Sequence, residues 1–70
     1  MRISYKKLWK LLIDRNMKKR DLREQANISS SSIAKLGRNE NVNTDILVKI
    51  CQALNCKLEE IMELEEEVQS

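Results

Sequence analysis

Tyr5, Leu8, Trp9, Leu12 and Ile13 recur three and four positions apart, with Lys6, Lys7 and Lys10 between them. That spacing gathers the apolar residues on one face of a helix and predicts an amphipathic first helix from Ser4 to about Asn16, with Ser4 as its N-cap. Lys18 to Ala26 carries Leu22 and Ala26 four positions apart. This predicts a second helix too short to stand alone, which must lean on its neighbours. Asn27 follows, and asparagine tolerates the left-handed conformation that ends helices. The stretch Ala26-Asn27-Ile28 therefore reads as a stop and a tight turn with Ile28 pointing inward.

Four serines, Ser29 to Ser32, come next, bracketed by Ile28 and Ile33. A linker would not carry isoleucines in this phase. Ser29 or Ser30 can cap a third helix running from Ser29 to Leu36, with Ile33 and Leu36 continuing a buried stripe and Gly37 as its left-handed stop. Arg38 to Asn43 is a polar loop. Asn43 or Thr44 can cap a fourth helix while Asp45 meets its positive dipole end. Leu47, Ile50, Cys51 and Leu54 form that helix's apolar stripe, and Asn55 is a second left-handed stop. Leu58, Ile61 and Met62 open an expected fifth helix, whose charged end, Glu63 to Glu67, is expected to fray. There is no internal repeat.

Composition agrees with helices. The 70 residues hold no proline, one glycine, no phenylalanine and 41% hydrophobic residues, which disfavours strands and turns. A single all-α domain over residues 1–70 is expected, with its core at about 4–64 and an acidic tail at 65–70. Such a chain buries only about 60% of its unfolded surface. Charge is divided by position. Residues 1–38 hold eleven Lys/Arg against three acids, a net of +8, and residues 39–70 hold two against eight, a net of −6. The basic block attracts a polyanion, while the acidic remainder favours solubility.

Cys51 and Cys56 are too few for a disulfide framework, and their spacing matches neither a zinc nor a thioredoxin motif. Cys51 reads as a small core residue and Cys56 as a turn residue. With no histidine, no glycine-rich phosphate loop and no metal-ligand cluster, no enzyme activity, metal or cofactor is expected. No apolar stretch reaches the ~20 residues that span a bilayer, and the N-terminus does not lead into a signal-peptide core. A soluble protein in a reducing cytoplasm is expected. Trp9 and Tyr5 read as packing residues rather than as stacking platforms for single-stranded nucleic acid.

Two short helices joined by a three- or four-residue turn, the second opening with small polar residues and flanked by bases, match the geometry of a helix-turn-helix. Lys19 to Arg38 also resembles the core of the phage-repressor class of DNA-binding proteins, the Cro/repressor type or xenobiotic-response-element family. The family's apolar positions fall on Leu22, Ala26, Ile28, Ile33 and Leu36, and its tight-turn position, usually glycine, falls on Asn27. The continuation NVNTDILVKICQALNCKLEEIM is similar to the family's fourth and fifth helices, so the resemblance spans roughly residues 4–64.

The resemblance implies a compact five-helix, lambda-repressor-like domain with the helix-turn-helix at helices two and three, of bacterial or phage origin. It places a backbone-contacting residue on Lys19, base-edge positions on Ser30, Ser31, Ala34 and Lys35, the cap on Ser29, and phosphate contacts on Arg38, Asn39 and Asn41. Among these, Lys35 can donate to guanine O6 and N7. The chain departs from the pattern at Lys18, where serine or threonine is usual, at Arg23, where alanine is usual, and at the recognition positions, which lack arginine, glutamine and asparagine.

The expected function is sequence-specific binding of double-stranded DNA by a small transcriptional regulator, a homodimeric repressor that inserts its third helix into the major groove. The alternative is a protein-interaction module on the same fold, such as an antitoxin-like or anti-repressor component with a protein partner. Leu58, Ile61, Met62, Leu64 and Val68 offer a candidate self-association face.

Overall fold

The computed structural model describes residues 1–66. Their order is a strand β1 (Arg2–Ser4), helices α1 (Lys6–Asp14), α2 (Lys19–Ala26), α3 (Ser30–Gly37) and α4 (Thr44–Leu54), a 3-10 turn (Leu58–Glu60), and a strand β2 (Glu63–Glu65). The four helices surround one core to which each contributes. Tyr5, Leu8 and Leu12 enter it from the first segment, Leu22 and Ala26 from α2, Leu36 from α3, and Leu47, Ile50 and Leu54 from α4. Ile28, in the turn, points inward as its phase predicts. The apolar stripe of α1 is narrower than expected, because Ile13 is 72% exposed.

All four helices end the same way. Asn16, Asn27, Asn39 and Asn55 have φ of 56°, 56°, 55° and 51°, and they are the described residues in the left-handed region. At each stop the amide of the next residue reaches back five positions: Met17 to Leu12 (2.8 Å), Ile28 to Arg23 (3.1 Å), Glu40 to Lys35 (2.9 Å) and Cys56 to Cys51 (3.0 Å). Asparagine tolerates this conformation better than other residues with a side chain, so a glycine is not required for any of the four turns.

Gly37 is not the stop expected of it. It lies inside α3 and has no positive φ. The helix closes through bonds from the Arg38 amide to Ala34 and Lys35, and Asn39 then makes the left-handed turn.

The all-α, five-helix expectation is corrected at both ends of the chain. After the 3-10 turn, Ile61 is fully buried and the chain extends into β2, which pairs antiparallel with β1 in the register Arg2–Glu65, Ile3–Leu64 and Ser4–Glu63. Ser4 is a buried strand residue rather than an N-cap residue, although its Oγ accepts the Lys6 amide at 3.3 Å. The expected frayed acidic tail is ordered through Glu65. In an extended strand Glu63 and Glu65 share a face, which lets one carboxylate approach Lys7 (3.9 Å) and the other Arg2 (3.7 Å). Clustered glutamates repel one another along a helix, whereas here they meet the basic N-terminal segment. The remainder of the expected tail, residues 67–70, lies outside the described residues, as does Val68 of the proposed self-association face. Of that face, Ile61 closes the core, while Leu58 and Leu64 are exposed.

No helix among the described residues is long and apolar enough to cross a membrane, and no group of three or more potential metal ligands is found there.

Candidate nucleic-acid interface

Helix α2 begins at Lys19 without the usual hydroxyl cap. Asp21, three residues beyond Lys18, compensates by accepting the Lys18 amide at 2.8 Å, and its charge lies in the first turn where the helix dipole favours it. Arg23, at a position where the resemblance expected alanine, is half-buried and lies beside α3. The two motif helices keep their contact despite the longer side chain.

Between α2 and α3, Asn27, Ile28 and Ser29 form the turn. Ser29 Oγ accepts the Ser32 amide at 3.2 Å, which fixes it as the cap of α3. The same hydroxyl lies 2.9 Å from Ser31 Oγ and 3.0 Å from Ser32 Oγ. The serine run is therefore a cap with a small hydroxyl network around it. Ser30, Ser31, Ala34 and Lys35 are all exposed and share one face of α3, while Ser32 and Ile33 are half-buried and Leu36 is fully buried behind them.

Two shallow clefts flank this face. One, of about 210 Å³, is lined by Lys19, Arg20, Arg23, Ser30 and Ile33. The other, of about 220 Å³, is lined by Ser32, Lys35, Asn41 and residues leading into α4. The structure thus brings Lys19 together with Ser30, and Lys35 together with Asn41. Among the described residues, no acidic group comes within ion-pair distance of Lys18, Lys19, Arg20, Arg23 or Lys35.

Three of the expected residues have internal partners. Lys19 Nζ sits 4.7 Å from the centre of the Trp9 ring, a cation–π contact that positions the first side chain of α2. Arg38 donates through Nε and Nη2 to both carboxylate oxygens of Glu40. This contact raises the guanidinium's pKa above its ordinary value and holds the Glu40 carboxyl below its own, with Lys35 adding to the latter effect. Asn39 accepts the Tyr5 amide through Oδ1 at 3.0 Å. Of these partners, only Glu40 was visible locally, as an acid two residues from Arg38. Trp9 and Tyr5 lie in a different helix region, and no local pattern connects them to the motif.

A strip of exposed small residues and a lysine on a short helix, held by an apolar seam and rimmed by cations, is the arrangement of a DNA-reading helix-turn-helix. The model of the Cro/C1-type HTH DNA-binding domain matches residues 7–67. The chain belongs to the Cro/C1-type helix-turn-helix DNA-binding family. Within that family, the chain is similar to a solved structure described as the crystal structure of the transcriptional regulator VanUg, form II. That structure is 57% identical, covers 93% of this chain and 88% of its own, and superposes with a TM-score of 0.87. Among curated proteins, no match to the chain is found.

Proposed function

We propose that this protein is a small transcriptional regulator that binds double-stranded DNA sequence-specifically as a homodimeric repressor, with α3 in the major groove. The observation that carries this reading is the exposed face of Ser30, Ser31, Ala34 and Lys35 between two clefts rimmed by Lys19, Arg20 and Arg23 on one side and Asn41 on the other. Ser29 caps α3, whose free amides and dipole favour a phosphate at that end, and Ser30, Ser31 and Ala34 face base edges. Lys35 reads a base edge, with guanine as its preferred partner. Lys19, Arg38, Asn39 and Asn41 hold the phosphate backbone on either side. A homodimer would address two half-sites about 34 Å apart.

Selection of bound duplexes from a random pool tests the reading directly, and a palindromic consensus is the expected outcome. Affinity for that duplex should fall steeply with salt, each neutralised phosphate contributing about −0.9 to the logarithmic slope. Absent or salt-insensitive binding would reject the proposal. A Lys35→Ala, Arg38→Ala variant should lose DNA retention while remaining folded.

A further inference from the structure

The stop at Asn55 does something the other three do not. Residues five apart across such a stop are brought side by side, and the four pairs in this chain are Leu12 with Met17, Arg23 with Ile28, Lys35 with Glu40, and Cys51 with Cys56. The fourth pair consists of the chain's two cysteines. Both thiols are free and half-buried. The Cys56 amide is bonded to the Cys51 carbonyl at 3.0 Å, which brings the two residues side by side across the turn. Arg15 braces the same helix end from α1 by donating to the Leu54 carbonyl.

The two sulfurs also share an opening. They line a cavity of about 390 Å³ with the apolar side chains of Leu47, Val48 and Leu58, of which Val48 and Leu58 are each about half exposed. The cavity lies along α4 and the 3-10 turn, and none of its lining residues belongs to the proposed DNA-reading face. A small molecule can therefore reach the thiols without contacting α3.

We propose that Cys51 and Cys56 form a reversible modification site, a dithiol that reacts with a low-molecular-weight disulfide and closes to an internal cystine. In the first step the Cys51 thiolate attacks one sulfur of the small disulfide, forming a mixed disulfide and expelling one small thiolate. In the second, the Cys56 sulfur attacks the Cys51 sulfur and expels the other. The protein dithiol loses two electrons and two protons, and the small disulfide takes them up to become two thiols. Burial, and next the adjacent Cys51 thiol, push the Cys56 thiol above its ordinary pKa, which assigns the first attack to Cys51. Residues five apart reach disulfide geometry only when the chain folds back, and the left-handed turn at Asn55 supplies that fold.

The test is equilibration of the full chain with mixtures of oxidised and reduced glutathione, native and in concentrated urea, followed by thiol quenching. Trypsin cuts after Lys49 and Lys57, so one peptide, Ile50 to Lys57, carries both cysteines. The internal cystine is read as a loss of two hydrogens from it. In the unfolded chain the thiols have an effective concentration on the order of mM, as for a short flexible linker, and the native chain should exceed this by about tenfold or more. Asn55→Ala, which disfavours the turn, should lower the native value towards the unfolded one. A native value no greater than the unfolded one would overturn the proposal, and would leave the pair as a packing contact. A persistent mixed disulfide with glutathione, or a disulfide-linked pair of chains, would overturn it as well.

Discussion

The Oδ1 atom of Asn39 accepts the backbone amide of Tyr5 at 3.0 Å, joining the end of α3 to the start of α1 across 34 positions of chain. The same asparagine holds the left-handed turn that ends α3, with φ of 55°. One side chain thus stops the helix and ties it to the core residue Tyr5, whose ring is buried. Because Oδ1 is committed to this bond, Nδ2 is the group left to donate to a phosphate.

Asn39→Ala removes both functions and should destabilise the protein by about 1–3 kcal/mol, from left-handed strain together with an unsatisfied Tyr5 amide. Asn39→Gly keeps the turn without strain and should lose only the bond, about 1 kcal/mol. Urea unfolding of the three proteins would show the ranking, wild type first and alanine last. Asn39→Asp keeps an acceptor for Tyr5 but replaces the free donor with a charge, so its loss should appear in DNA affinity.

Gly37→Ala should stabilise the protein by about 0.5–1 kcal/mol, since a helical glycine is replaced without strain. A methyl group there would meet Lys19 Nζ at 3.7 Å, an ordinary contact. An increase in the urea midpoint with an unchanged slope is the expected result. A decrease would show that the added methyl group disturbs the packing beside Lys19.

Glu40 places a negative charge on the proposed DNA face and occupies the guanidinium of Arg38. Glu40→Gln should free Arg38 for a phosphate, raising duplex affinity at low salt and steepening the salt slope by about 0.9. An unchanged slope would show that Arg38 contacts no phosphate even when released.

The same pair predicts a pH dependence. The Glu40 carboxyl is held below its ordinary value in the folded state, so the pair's contribution is complete above the usual carboxylate range and is lost as pH falls through the lowered value. Both partners are in solvent, so the effect on overall stability should be small. An NMR titration should place the Glu40 midpoint below that of a model glutamate, and Arg38→Gln should move it upward.

Lys19 and Trp9 offer an optical report of binding. The chain has one tryptophan, and an ammonium stands over its ring. If a phosphate draws Lys19 away, Trp9 emission should change on adding duplex. Lys19→Gln should abolish most of that change and weaken binding. Identical emission with and without bound DNA would indicate that Lys19 remains on the ring.

Four helices and the stops at Asn27 and Asn55 were legible in the sequence because both are local. Apolar spacing assigned the buried faces of α2, α3 and α4, a serine preceding such a stripe narrowed the α3 cap to Ser29 or Ser30, of which the structure uses Ser29, and Asn27 and Asn55 stood where a left-handed residue was needed. Ser30, Ser31, Ala34 and Lys35 were singled out by the family resemblance rather than by the apolar spacing, and the structure leaves all four exposed. What only the tertiary structure decided depends on residues distant in sequence. Three-residue strands carry no readable period, and β1 with β2 exists because the two ends of the chain meet and their opposite charges pair. Trp9 under Lys19, Tyr5 bonded to Asn39 and the uncovered Ile13 depend on how α1 lies against the rest. The meeting of Cys51 and Cys56 is intermediate in kind: the turn at Asn55 was readable from the sequence, but that it sets the two sulfurs side by side in one cavity is a property of the folded chain.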